Sequence, residues 1–399
     1  MNILHKFFVR CFNVILGGAE FLLPWREPTL LQNYEELTNI LKNSNKNKVL
    51  IVTDNNIEKF GLIHPLEDAL NKASLSFVVY KNVSPNPTFE NVYSGKSFYL
   101  ENNCDAIVAV GGGSVMDCAK TIGILITNKG EIQKFKGLFK VHHEIPLLIA
   151  LPTTSGTGSE TTIAAVIRNE KNGSKFPIED MRIVPKYALL DENLLLNLPG
   201  NVFSTTGMDA LTHAVEAYLN WDTTRKTRKY SLEAIKLIKE NLENGYINPK
   251  DLNAKKNMLY ASFIAGKAFT RSMVGNVHAV AHAIGGKYNL PHGYLNSIIL
   301  PYFLDIYKNK SLNKLSKISI YIGLGNKANT KEENATLFIN LVNELNSKFY
   351  IPKTIKEIKE EDLDYLSNAS YKEAVPLYPC PVLLNKKDFK KVYLKLMGK

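Results

Sequence analysis

The stretch "CDAIVAVGGGSVMDCAK", residues 104–120, decides the fold. It reads as a short buried strand, a tight glycine turn, and a helix that opens at Ser114. A continuous apolar run of this length, closed by turn residues, fits a strand covered on both faces. Similar runs flank it: "KVLIVTD" from residue 48, "LSFVVY" from 75 and "PLLIAL" from 146. Helix-like segments such as "IEKFGLIHPLEDALNKA" (57–73) separate them. β-branched runs alternating with helical patterns point to β-α-β units and a parallel sheet. After "NLPGN" (197–201) the texture changes to long helical patterns, for example "STTGMDALTHAVEAYLN" (204–220). The expected architecture is an α/β domain with a parallel sheet over residues 1–200, followed by an all-α domain over 201–399. Residues 1–44 read as a divergent, helical start, and "RNEKNGSKFPIED" (168–180) as a turn-rich excursion.

Composition narrows the function classes. The chain has 399 residues and a net charge of +11, with 45% hydrophobic and 22% charged residues, values of a folded globular protein. Its lysines are scattered, often beside asparagine as in "LKNSNKNK" (41–48), and form no basic strip for nucleic acid. Cys11, Cys104, Cys118 and Cys380 lie far apart with no C-x-x-C pair, which argues against a disulfide framework or zinc knuckle and for the cytoplasm. In the opening "MNILHKFFVRCFNVILGGAEFLLPW", Arg10 and Glu20 interrupt the apolar residues, so no membrane span is expected.

Three stretches carry ligand chemistry. Gly111, Gly112 and Gly113 permit positive φ and close backbone approach, and the helix start beyond them offers unpaired N–H groups to a phosphate. Ser114 is placed to cap that helix or reach a phosphate oxygen. This is neither G-x-G-x-x-G nor a Walker loop. "LPTTSGTGSE" (151–160) gathers Thr153, Thr154, Thr157 and Ser159 in a short loop after a strand, where a simple Ser/Thr-rich turn is the plainer alternative. Asp54 ends the first clear strand, where a carboxylate can accept from a ribose hydroxyl or merely form a turn. The third stretch is richest. "GMDALTHAVEA" places Asp209 and His213 four apart, "HAVAH" does the same for His278 and His282, and His292 follows in "PHG". Imidazoles plus a carboxylate suit zinc or ferrous iron, and a catalytic ion needs one position left open. Spacing alone does not say which four of the five bind.

Taken in order, "VTD", "PNPTFENV" (85–92), "GGGSVMD", "PTTSGTGSE", "GMDALTHAVEAY" and "HAVAHAIGGKYNLPHG" resemble the iron-containing (group III) alcohol dehydrogenase family. The likeness is dense over about residues 45–305. It implies a Rossmann-like NAD-binding domain and a helical metal domain, the fold shared with dehydroquinate synthases. It implies Asp209, His213, His278 and His292 as ligands of Fe2+, with Zn2+ as the alternative, and His282 as a catalytic histidine near the nicotinamide. For the cofactor it implies Asp54 beside the adenosine ribose, favouring NAD over NADP, and Asn86 of "PNP" close by. Gly112, Gly113 and Ser114 match its pyrophosphate turn, with Asp117 on the same helix. Thr153, Thr154, Thr157 and Lys175 match the ribose and nicotinamide end. A small alcohol or aldehyde substrate and a homodimer are likewise implied. The family's usual opening strand pair is replaced here by "LPWREPTLLQNYEEL" (23–37), so the first forty residues are poorly covered. Glycerol or polyol dehydrogenases of the same fold, a lyase of the dehydroquinate synthase type, and a non-catalytic nucleotide or metal sensor are the competing expectations.

Overall fold

A computed structural model describes residues 3–21, 23, 25–170 and 175–399. The chain divides into two compact units, Pro24–Leu198 and Met1–Leu23 together with Pro199–Lys399.

The first unit is α/β. Its strands are β1 (Thr29–Leu31), β2 (Lys48–Val52), β3 (Ser76–Tyr80), β4 (Ala106–Gly111), β5 (Gly137–Leu138), β6 (Leu147–Pro152), β7 (Ala164–Arg168), β8 (Lys175–Glu179) and β9 (Tyr187–Leu189). Among the described residues, six form one sheet in the order β1-β9-β6-β4-β2-β3, every neighbouring pair parallel. β4 and β6 lie at the centre, and each of their residues is buried, which is why their sequences run apolar without alternation. The chain steps from β2 outward to β3, then crosses back to β4 on the other side of β2. That reversal makes the carboxyl ends of β2 and β4 the switch point where open α/β sheets take their ligands.

The helix Gly113–Thr127 leaves β4 and buries most of its length against the sheet, with Val115, Met116, Ala119, Ile122 and Ile124 in the core. The helix Phe89–Glu101 packs beside it, started by a capping box between Thr88 and Asn91. The excursion expected at 168–180 is partly regular: β7 and β8 pair antiparallel in register Arg168↔Lys175, and β5 joins β8 in a small second sheet. Its Gly/Asn-rich tip, residues 171–174, lies outside the described residues.

The second unit is helical, and no strand follows Leu189 among the described residues. Helices Gly200–Leu219, Arg225–Ile247 and Leu252–Ser272 pack on one another. From Gly207 to Leu219 every residue of the first is buried, so its polar side chains sit inside the unit. The segment expected to open the α/β domain is divided between the two units. β1 joins the sheet, whereas the helix Ile3–Phe21 packs on the helical unit, where Arg10 donates to the Pro381 carbonyl (3.2 Å) and Asn13 to that of Pro376 (2.6 Å). Those side chains find backbone acceptors within the helical unit.

Candidate metal centre and cofactor turn

The helical unit gathers four donors. Asp209 and His213 project one turn apart from the buried stretch of Gly200–Leu219. His278 comes from the first turn of the helix Asn276–Tyr288. His292 begins the helix His292–Tyr307, directly after its N-cap Pro291. One ligand atom from each of Asp209, His213, His278 and His292 lies within 4.8 Å of all the others. Three of the four are buried and His292 is partly exposed.

Each donor is held by a neighbour. The His278 ring donates through Nδ1 to Glu216 Oε2 at 2.6 Å, which leaves Nε2 as the lone-pair nitrogen. Glu216 also accepts from the backbone N–H groups of Gly275 and Val277, both at 2.8 Å. The His213 ring stacks between Phe269 and His278, with centroids 4.2 and 4.5 Å away. Asn296, one turn after His292, donates its amide to Asp209 Oδ1 (2.6 Å) and lies 3.1 and 3.0 Å from Nε2 of His278 and His292. One polar N–H group thus finds three lone pairs converging on it, as a cation would. Burial pushes the Asp209 carboxyl up to about 7, against the Asn296 hydrogen bond, and Glu216 up to about 8. Burial, and then His282, pulls His278 well below the usual imidazole range, so it is neutral as a ligand must be. A carboxylate and three imidazoles that are costly to bury without a positive charge fit a divalent first-row ion.

His282 stands apart from the four. Its ring stacks on His292 (5.0 Å between centroids), and its Nδ1 meets Glu373 Oε1 at 2.6 Å. Glu373 also accepts from the Tyr378 hydroxyl at 2.9 Å. Burial raises the Glu373 carboxyl, but His282 and Tyr378 outweigh it and hold the group below its ordinary value.

In the α/β unit the residues expected around a dinucleotide cluster at the switch point. Asp54 is the N-cap of the short helix Asn55–Lys59, accepting from the N–H groups of Asn56 (2.8 Å) and Ile57 (3.0 Å). The turn after β4 corrects the sequence expectation twice. Gly111, Gly112 and Gly113 are not at positive φ; Gly112 is extended (φ −81°, ψ −169°), and glycine is required for space instead. A Cβ on Gly111 would lie 2.5 Å from Val115 Cγ2, one on Gly113 3.0 Å from Thr157 Cγ2, and one on Gly112 3.3 Å from Thr154 Cγ2. The second correction concerns Ser114. Gly112 is the N-cap, with no side-chain cap, and the Ser114 hydroxyl instead accepts from the Asn86 N–H at 3.3 Å. Asn86 is held at φ 55°. An uncapped helix start beside a glycine cradle, with the Thr154 hydroxyl buried and unpartnered, fits a phosphate group.

Thr153 is tied to the same turn by its N–H on the Gly111 carbonyl (3.1 Å). Asp117 faces inward: its carboxylate accepts from Ser159 Oγ (2.9 Å) and the Val166 N–H (3.0 Å), and burial raises it despite Lys120 and Lys175. Lys175 begins β8 and feels Asp117 electrostatically. Sequence reading passed over Lys120, although it is fully buried and organises the loop. Its ammonium reaches the Ser159, Thr162 and Ala164 carbonyls at 2.7, 2.9 and 2.8 Å, and burial lowers it to about 8. Glu160, 2% exposed, is pushed up to about 7 by the same burial. Glu216 had a signal, lying three residues past His213 on the same face. Glu373 had none, being 91 residues from His282.

Both family models for iron-containing alcohol dehydrogenases match, the main one over residues 31–192 and the C-terminal one over 203–397. The chain belongs to that family. It is an oxidoreductase of the alcohol dehydrogenase type, and its fold is the family's. The dehydrogenase is 36% identical over 330 residues to the 1,3-propanediol dehydrogenase of Citrobacter freundii, spanning 82% of this chain and 85% of that one. It is 33% identical to the NAD-dependent methanol dehydrogenase of Bacillus methanolicus, over 85% of this chain and 90% of the other. A crystal structure of a 1,3-propanediol oxidoreductase superposes with a TM-score of 0.90 at 30% identity, covering 94% of the dehydrogenase and all of that chain. No helix of the dehydrogenase, among the described residues, is long and apolar enough to cross a membrane.

Proposed function

We propose that the protein interconverts short primary alcohols or diols with their aldehydes, using a divalent metal, iron before zinc, and NAD(H). The observation that carries this reading is the four-donor cluster of Asp209, His213, His278 and His292, whose ligand atoms lie within 4.8 Å of one another. These four would hold the ion. Gly112, Gly113, Ser114, Thr153, Thr154 and Thr157 would hold the dinucleotide, with Asp54, Asn86, Asp117 and Lys175 around it. When bound, the ion supplies Lewis acidity toward a substrate oxygen and NAD supplies the hydride acceptor.

The chain's own groups do the rest. Glu216 fixes the His278 tautomer, and Asn296 aims the Asp209 oxygen. Glu373 accepts a hydrogen bond from the Nδ1–H of His282, which leaves Nε2 to exchange the proton that an alcohol loses. Asp54 would stand beside the adenosine ribose, where its charge would disfavour a 2′-phosphate and so favour NAD over NADP. Relatives named for 1,3-propanediol and methanol support short substrates. We place the enzyme in the cytoplasm as a homodimer built from an α/β and a helical domain. Four free cysteines, three of them buried, agree with a reducing compartment.

The test is anaerobic purification, separate loading with ferrous iron and zinc, and nicotinamide absorbance with short alcohols, diols and aldehydes. NAD(H) and NADP(H) are run in parallel. Metal-dependent NADH formation is expected. Protein that binds metal and NAD yet turns over no alcohol or aldehyde would overturn the reading.

A further inference from the structure

The helix Ile3–Phe21 lies wholly before residue 31, where the family's match begins. One side faces its own unit. Val9 and Asn13 are buried there, Arg10 sits over the Trp221 ring (5.6 Å) while bonding Pro381, and Gly17 packs on the Asp222 side chain. The other side is apolar and open to solvent: Leu4, Phe7, Phe8, Val14 and Ile15 are 58–79% exposed, and Phe12 is exposed beside them. At 100° per residue these positions span an arc of about 160°, and no charged residue of the helix falls within it. Soluble proteins rarely leave such a stripe uncovered.

Cations stand close to this helix. Trp221 and Asp222, which touch this helix, lead directly into the helix Arg225–Ile247. That helix opens with exposed Arg225, Lys226, Arg228 and Lys229, and Arg228 reaches back to the Thr223 carbonyl at 2.6 Å. No acid stands in its first turn. Positive charges at the positive end of a helix dipole oppose local stability, so an external anion is the natural counterpart. A second copy seated on this stripe would bring these cations against their like.

We infer that this stripe and the neighbouring basic turn form a peripheral docking surface for an anionic lipid bilayer. The helix lies in the headgroup region with Phe7, Phe8 and Ile15 inward, and Arg225–Lys229 against the lipid phosphates. The surface is independent of the alcohol chemistry.

The test is co-sedimentation of the full-length enzyme with vesicles of phosphatidylcholine alone, or mixed with phosphatidylglycerol, at low and high salt. The enzyme is expected to sediment with the anionic vesicles, less so at high salt, and to stay in solution with the neutral ones. Phe8→Glu, which should unfold at the wild-type temperature because the site is exposed, is expected to lower partition by ~10-fold or more. Arg225→Ala with Lys229→Ala is expected to lower it roughly 5-fold per charge removed. No sedimentation with anionic vesicles, or equal partition of Phe8→Glu, overturns the inference. So does an oligomer that Phe8→Glu dissolves while vesicles are ignored, since the stripe would then join copies of the chain.

Discussion

The four-donor cluster of the helical unit and the glycine turn of the α/β unit are built on opposite principles. Around Asp209, His213, His278 and His292 the work falls to side chains, steadied by neighbouring side chains such as Glu216 on His278 and Asn296 on three of the four. Around Gly111–Gly113 it falls to missing side chains: the turn packs where a Cβ would crowd Val115, Thr154 or Thr157, and the helix start beyond it has no side-chain cap. The first design fails when a group is removed, the second when one is added. Substitutions in the two regions should therefore give different signatures.

The sharpest contrast comes from His278→Ala. It should strip the metal and lower kcat/KM on the order of 10^3-fold, the scale of several kcal/mol of lost charge stabilisation. His282→Ala should keep the metal and lose rate. Equal metal loss in both, by elemental analysis, would put His282 among the ligands.

In the α/β unit, burial rather than ligation sets the largest effect. The Glu160 carboxyl takes a proton near pH 7 when folded but near 4.5 when unfolded, so the native state holds the extra proton between those values. Its stabilising contribution is complete below about pH 4.5 and lost as the pH rises through 7. Against Glu160→Gln, the wild-type protein should lose up to ~3 kcal/mol over that window, read by denaturant titration at each pH. A pH-independent difference would mean that Glu160 stays charged.

Glu216→Gln isolates the supporting shell of the metal cluster. Three donors converge on the carboxylate, and an amide can accept at only one end, so metal affinity should fall 10–100-fold in chelator competition. Unchanged affinity would show that His278 aims itself. Gly112→Val tests the opposite principle. With its Cβ only 3.3 Å from Thr154 Cγ2, the new side chain must push the Thr154 side chain aside and fills the cradle. NAD affinity should fall by roughly 10-fold or more while the melting temperature holds within a few degrees. The smallest effect belongs to Asp54→Gly, which should narrow the preference for NAD over NADP by a factor of about 10 in kcat/KM. An unmoved preference would leave Asp54 as the helix cap it also is.

The same contrast explains what was legible. The parallel sheet could be read because β4 and β6 are buried on both faces and write that as unbroken apolar runs. His278, His282 and His292 announced a ligand cluster because imidazole is scarce, eight in 399 residues. The glycines were found for an incomplete reason, since sequence shows that a side chain is missing and not which neighbour excludes it. Glu373 was missed because its partner lies 91 positions away on another helix, and Asn296, although one turn after His292, was missed because its contacts with His278 and Asp209 cross 18 and 87 positions that no local pattern encodes. Lys120 was missed because a lysine inside an apolar helix looks like a solvated charge until its five oxygen partners are seen.

That lysine has a practical use. Its amine is more nearly neutral at mild pH than that of an ordinary exposed lysine, and so intrinsically more reactive toward acylating reagents, yet it is wholly enclosed while the 159–164 carbonyls surround it. An amine reagent can reach it only when that loop opens away from the Gly113–Thr127 helix. Acylation of Lys120, followed by peptide mass, is thus a natural clock for opening of the 159–164 loop, and a dinucleotide bound at the proposed site should slow it.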